Sequence, residues 1–118
     1  MPNNGEMDKL TDHLYLNVGV LHNYSLDQSL VLERARRGVE SMGVTWSQII
    51  AQNRRGRIAE TRHMVSKYLR DSGFSYPEIA DAVQRANHTT SVYAVRRCNE
   101  LIETYPEFAK NYEKFITQ

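Results

Sequence analysis

Helix-start signals at a fixed spacing constrain this chain more than any other feature of its sequence. A hydroxyl residue is followed three positions later by Gln or Glu at three places: Ser25 and Gln28, Thr45 and Gln48, and Ser75 and Glu78. In such a capping box, the two side chains bond to free amides of the first helical turn. Gly43 and Gly73 stand where the preceding helices would end, and Pro106 stands where a new one can begin. The pattern predicts a mostly helical chain.

Apolar residues recur at helical spacing between these signals. The spacing predicts helices over residues 26–42, 46–52, 59–71, 75–84, from a cap at Asn87 to Pro106, and from Pro106 onward. The positions expected to face inward are Val31, Ala35, Val39, Met42, Trp46, Ile49, Ile50, Met64, Val65, Tyr68, Leu69, Ile79, Ala80, Val83, Val92, Val95, Leu101, Ile102, Phe108, Tyr112, Phe115 and Ile116. The length of 118 residues fits one compact all-α domain with a single core.

Residues 1–25 are predicted to form an amino-terminal extension of a domain that consists of residues 26–118. Leu10, Leu14, Val18 and Leu21 fit a helix, whereas Leu14, Leu16, Val18 and Val20 alternate as in a strand. We favour a helix because nothing else in the sequence offers a strand partner. The extension is either an inert cap on the first helix or a surface that pairs with a protein partner.

Charge is unevenly distributed, although the whole chain has a formal net charge of only +1. Residues 54–70 hold six basic side chains against a single acidic one, Glu60, which gives this segment a net charge of +5. A basic patch on a nearly neutral protein indicates a polyanionic partner. The stretch NRRGR at 53–57 lacks an apolar face and is predicted to be an exposed basic loop.

The remaining composition argues against several other classes of function. Cys98 is the single cysteine, and the four histidines show no metal-ligand spacing, so no disulfide and no metal are expected. Asp, His and Ser residues show no nucleophile and base spacing, so neither an enzyme nor a cofactor is expected. No apolar run approaches the roughly 20 residues of a membrane span, and the amino end does not resemble a signal peptide. We expect a cytoplasmic protein that does not engage a membrane.

A short helix, a turn of three to four residues and a longer helix form a helix-turn-helix pattern over residues 75–104. Many helical proteins contain such a pair as plain architecture. Here the second helix begins with His88, Thr89 and Thr90, whose side chains can bond to base edges in the major groove. Threonine is a weak helix former, so two in succession indicate a role other than helix stability. The alternative is that Asn87 and Thr89 serve only as caps.

Two stretches, SYPEIADAV at 75–83 and NHTTSVYAVRR at 87–97, together with RRGR at 54–57, match a known pattern. From about Leu32 to Gln118, the chain resembles the carboxy-terminal DNA-binding domain of the bacterial replication initiator DnaA. The resemblance implies a helical fold related to that of the Trp repressor. It also implies a single domain that binds a short asymmetric box in duplex DNA.

The resemblance further implies which residues contact DNA, either in its two grooves or along its backbone. They are Arg54, Arg55 and Arg57 in the basic loop, Arg62 and His63 at the start of the next helix, Ser75, Tyr76 and Pro77 at the first helix of the motif, and Asn87, His88, Thr89, Thr90, Tyr93 and Arg97 in the recognition helix. Neighbouring helical positions differ by about 100°, so we expect Arg97 to face DNA and Arg96 to lie on the flank.

The sequence also departs from the pattern of the family. A turn that usually contains glycine, followed by aspartate, is replaced by Gln84-Arg85-Ala86 and Asn87, so the preferred box is expected to differ. Tyr93 stands where histidine is common, and Ser91 replaces an apolar residue. No phosphate-binding stretch of the G-x-x-x-x-G-K-S/T type occurs, so we expect no bound nucleotide and no ATP hydrolysis.

The leading hypothesis is a sequence-specific protein that binds double-stranded DNA at DnaA-box-like sites without an ATPase of its own. Its role would be replication initiation or regulation, or transcriptional control, at the nucleoid. The alternative is a protein interaction module whose helix-turn-helix does not bind DNA.

Overall fold

Six α-helices and no strand form residues 24–52 and 55–118, which are the residues that this computed structural model describes. The helices are α1 Leu26–Ser41, α2 Trp46–Ile50, α3 Gly56–Asp71, α4 Tyr76–Ala82, α5 Thr89–Thr104 and α6 Pro106–Ile116. The all-α class is therefore confirmed for this part of the chain. The helix expected before Ser25, the division at residue 25 and the position of Arg54 lie outside it.

All three predicted capping boxes are formed. In each, the hydroxyl oxygen accepts from the amide three residues later, at 3.1 to 3.2 Å, and the longer side chain accepts from the amide of the cap residue. The first and third boxes also touch, because the Gln28 side-chain amide donates to the Glu78 carboxylate at 3.2 Å. This bond joins the starts of α1 and α4.

Three helices end in the same hydrogen-bonded turn, a Schellman motif, which needs one residue with a left-handed backbone. In α1 and α3 that residue is the predicted glycine, Gly43 with φ +76° or Gly73 with φ +104°. Helix α4 ends two residues earlier than predicted because the same turn begins after Ala82. There Gln84 takes the left-handed position with φ +57°, and the Arg85 amide donates to the Ala80 carbonyl at 2.7 Å.

The basic loop predicted at 53–57 is shorter than expected. Helix α3 begins at Gly56 rather than near Ala59, so Gly56 and Arg57 belong to its first turn. The extended backbone of Arg55 precedes the helix, and the Arg55 carbonyl accepts from the Ala59 amide at 2.7 Å.

Helix α3 is the centre of the core and contacts each of the other five helices. Most positions predicted to face inward are buried, with Val31, Trp46, Ile50, Tyr68, Val92 and Ile102 only partly covered. Ile116 is the exception, at 38 % exposed, because it is the last residue of α6. Cys98 in α5 is fully buried, and burial raises the pKa of its thiol to about 12.

Helices α1 and α6 approach each other closely at Gly38. A Cβ atom added to Gly38 would lie 2.8 Å from the carbonyl oxygen of Phe115 and 2.9 Å from two carbons of its ring. Gly38 and Phe115 are both buried, and the Phe115 ring also stacks on Tyr112 with centroids 6.1 Å apart. The absence of a side chain at Gly38 therefore sets the distance between these helices.

Replacing Gly38 with Ala should destabilise the protein by about 1–3 kcal/mol, since the contact with a backbone oxygen outweighs the gain in helix propensity. Gly56→Ala is the matched control, because nothing lies within 4 Å of the added Cβ atom. It should change stability by no more than about 0.5 kcal/mol. Urea unfolding of both variants measures this, and equal stabilities would contradict the packing argument.

Replacing Gln84 with Gly should stabilise the protein by about 0.5–1 kcal/mol, because relief of a left-handed backbone outweighs the added freedom of the unfolded chain. Gly73→Gln is the reverse test, since Gly73 occupies the equivalent position in the turn after α3 and has open space around it. It should destabilise by about 1 kcal/mol or more. Thermal unfolding shifts of the same sign in both variants would refute this assignment.

Candidate nucleic-acid interface

The start of α5 presents a polar and exposed surface. Asn87, His88, Thr89, Thr90 and Tyr93 are all exposed. The cap predicted at Asn87 is wrong by one residue, because the helix begins at Thr89 and His88 is its cap residue. The Asn87 side-chain oxygen still accepts from the Thr89 amide at 2.8 Å. The Thr90 hydroxyl donates to the Asn87 carbonyl at 2.8 Å, which leaves its lone pairs and its methyl group for outside contacts.

A cleft of about 320 Å³ lies between α3 and the start of α5. Four of the predicted DNA-contacting residues, Arg62, His63, Thr90 and Tyr93, line it. The His63 ring meets the Tyr93 ring edge to face, with centroids 6.0 Å apart and planes at 77°. The fold thus brings these residues together, but it places His63 behind Tyr93 rather than on the outer surface.

His63 is neutral at ordinary pH. Burial and, to a smaller extent, the positive charges of Arg62 and Arg97 together lower the pKa of its imidazole to about 4. Its Nδ1 atom and the Ser91 hydroxyl are both buried with no hydrogen-bond partner among the described residues. Ser91 is only 2 % exposed and lines the same cleft.

Two arginines at this cleft bind backbone carbonyls at the end of α2. Arg62 donates from Nε to the Ile49 carbonyl at 2.8 Å and from Nη2 to the carbonyls of Gln48 and Ala51. Arg85 donates from Nη2 to the Ala51 carbonyl at 2.9 Å. The Arg62 guanidinium, predicted to contact DNA, therefore already has a structural task in the free protein.

The arginines of the basic segment do not all reach the cleft. Arg55 is exposed and immediately precedes α3. Arg57 is also exposed, but its Nη1 donates to the Met42 carbonyl at 3.1 Å. Arg57 lines a separate groove of about 390 Å³ that also includes Glu60 and Lys114. Its predicted DNA contact stays a prediction, and any such contact would start from this separate groove.

The remaining predicted positions lie at the start of α4 and further along α5. Ser75 forms the capping box, Pro77 is exposed, and the Arg70 guanidinium lies 4.1 Å from the centre of the Tyr76 ring. Arg97 is half-buried and pairs with Glu100 at 3.3 Å, whereas Arg96 is exposed. These positions are not part of the cleft, and their contacts with DNA stay predictions.

The sequence argument missed the role of Arg85, which it recorded only as a departure from a glycine-containing turn. The turn connecting α4 to α5 is also longer than the predicted three to four residues, because it spans residues 83–88. A signal was present in the sequence: a helix end without glycine, followed by an arginine. Its meaning depends on α2, which lies more than thirty residues earlier along the chain.

Comparisons with known proteins do not place this chain in a family. No protein-family model matches the sequence, and no solved structure matches it. Among residues 24–52 and 55–118, no helix is long and apolar enough to cross a membrane. The same residues contain no cluster of three or more His, Cys, Asp or Glu side chains that could hold a metal ion.

Acid should destabilise the protein through His63. The imidazole has a pKa of 6.5 in a model peptide and about 4 in the fold, so between these values the unfolded chain binds more protons. Stability should therefore fall as the pH drops from 7 to 4.5, by about 1–3 kcal/mol from this residue. His63→Gln should lack that part of the loss, and His88→Gln, which changes an exposed histidine, should retain it. Urea unfolding at the two pH values measures the difference, and equal acid losses in the two variants would exclude His63 as the cause.

Proposed function

We propose that this protein binds double-stranded DNA in a sequence-specific manner, with the start of α5 in the major groove. The observation that carries the proposal is a set of exposed polar and aromatic side chains at the beginning of a 16-residue helix, namely Asn87, His88, Thr89, Thr90 and Tyr93. That helix packs against α3 and α4, so its first turn is held on a supported scaffold. Hydroxyl, imidazole and amide groups in this position suit base edges in the major groove.

The charges around this surface favour a polyanion. Residues 84–97 contain Arg85, Arg96 and Arg97 and no acidic residue. Residues 53–59 contain Arg54, Arg55 and Arg57 and likewise no acidic residue. Duplex DNA carries one negative charge for about every 1.7 Å of its axis, so stretches that lack carboxylates limit repulsion and their positive charge favours association.

The target we propose is a DnaA-box-like site, and the motif is a helix-turn-helix of the DnaA and Trp repressor type. The sequences SYPEIADAV and NHTTSVYAVRR support this choice. Arg55 and its basic neighbours would contact the minor groove, where arginine is attracted by the negative potential. The protein would act at such sites in replication or in transcription, and it would depend on other proteins for any ATP-driven step.

Fluorescence anisotropy with a labelled duplex tests the proposal. The protein should bind a DnaA-type box more tightly than a scrambled duplex, and its affinity should fall steeply between about 50 and 200 mM salt. Arg97→Ala should weaken binding to the box by about tenfold and reduce the salt slope by about one. Arg96→Ala is the matched control, with the same loss of charge at the neighbouring position, and it should have a smaller effect.

Two outcomes would overturn the proposal. Equal and weak binding to both duplexes would indicate a nonspecific basic protein. Absence of binding to either duplex at both salt concentrations would favour the alternative, an interaction module whose partner is a protein. In that case charge reversal at Arg55 and Arg57 would leave its partner binding intact.

A further inference from the structure

Helix α2 has only five residues, Trp46–Ile50, so the carbonyls near its end lack partners within the helix. Guanidinium groups fill that need. The carbonyls of Gln48 and Ile49 accept from Arg62, the Ile50 carbonyl accepts from Arg85 at 3.2 Å, and the Ala51 carbonyl accepts from both arginines. Two positive charges thus cap the negative end of the helix, which is electrostatically favourable.

The two arginines come from different parts of the interface. Arg62 lies in α3, whereas Arg85 lies in the connection that leads into the recognition helix. The backbone amide of Arg85, directly after the left-handed Gln84, donates a hydrogen bond to the Ala80 carbonyl at 2.7 Å. This bond fixes the backbone of Arg85. In the equivalent turns after α1 and α3, this position is taken by Val44 and Phe74, which are buried in the core. Arg85 instead turns toward α2.

Ala51 and Arg55 lie four positions apart in the sequence, and Arg55 immediately precedes α3. At one end of this connection, the Ala51 carbonyl is held by Arg62 and Arg85. At the other end, the carbonyl of Arg55 accepts a hydrogen bond from the Ala59 amide. Arg85 thus ties the turn before α5 to the end of α2, which precedes the basic segment around Arg55 in the chain.

We propose that Arg85 is a positioning residue for DNA recognition, whose guanidinium fixes the basic segment around Arg55 in register with the recognition helix. The proposal rests on the proposed function, because it explains how the contacts to the two grooves are held at one relative position. Arg85 would act through carbonyl groups of the protein rather than through phosphates.

The chemistry requires arginine at this position. Nη1 of Arg85 donates to the carbonyls of Ile50 and Val83, while Nη2 donates to that of Ala51. The planar guanidinium presents these donors in a fixed fork, whereas a lysine ammonium is a single point of charge on a flexible stem. Arg85→Lys should therefore behave like Arg85→Ala, although it keeps the positive charge.

The first arm of the test uses the free protein and needs no DNA. The Ala51 amide donates to the Ser47 carbonyl at 3.2 Å, and its exchange with solvent reports whether the end of α2 is held. NMR should show exchange at Ala51 faster by about tenfold in Arg85→Ala and in Arg85→Lys, and unchanged in Arg96→Ala. Unchanged exchange in the Arg85 variants would overturn the proposal.

The second arm is a double-mutant cycle for binding to the DnaA-type box. Arg85→Ala and Arg55→Ala should each weaken binding, and the double variant should bind about as weakly as the weaker single variant, because both changes remove the same contribution. Measurements below the unfolding transition of every variant exclude loss of folded protein as the cause. If the losses of affinity in the two single variants multiply in the double variant, the positioning role is overturned. Full affinity in Arg85→Lys would also overturn it, because that result would indicate a direct phosphate contact.

The two arms separate failure of this inference from failure of the proposed function. If the unmodified protein does not prefer the box, the proposed function fails and the role of Arg85 in DNA binding fails with it. Two other results overturn only the positioning role. They are a preference for the box together with unchanged exchange of the Ala51 amide in the Arg85 variants, or together with independent losses of affinity in the double-mutant cycle.

Discussion

The packing of α3 against every other helix is the constraint on which the rest of the structure depends. A helix in this position must bury several faces, yet its sequence contains polar residues throughout. Thr61 and Ser66 are buried, and their hydroxyls donate to the carbonyls of Arg57 and Arg62, one turn earlier in the same helix. These local bonds avoid the cost of unpaired polar groups in the core. The charged side chains of α3 are left at least partly exposed at its surface.

Local signals in the sequence predicted the parts of the fold that depend on neighbouring residues. The three capping boxes and the glycine stops after α1 and α3 work within a single turn of chain, so the sequence shows them directly. The end of α4 was misplaced because its turn uses Gln84, a residue that does not favour a left-handed backbone. The predicted start of α3 is wrong because charged residues do not prevent helix formation, so Gly56 and Arg57 belong to the helix rather than to a loop.

The candidate site shows the same division between local and distant interactions. The exposure of the polar residues at the start of α5 followed from their position on an amphipathic helix. The burial of His63 behind Tyr93 did not, because it depends on how α3 and α5 pack. The task of Arg85 was also hidden, since its partners lie in α2. The identity of a side chain therefore indicates which residues are candidates for binding a polyanion. It does not indicate which of them already form hydrogen bonds within the folded protein.

The state of Cys98 has a practical consequence for labelling studies. It is the single cysteine of the chain, it is fully buried, and burial keeps its thiol protonated far above neutral pH. Since thiolate is the form that reacts with maleimides and similar probes, this sulfur is protected while the fold is intact. A cysteine introduced on the surface would be the one reactive thiol in the native protein. A dye could then be placed on a chosen helix without first removing the natural cysteine.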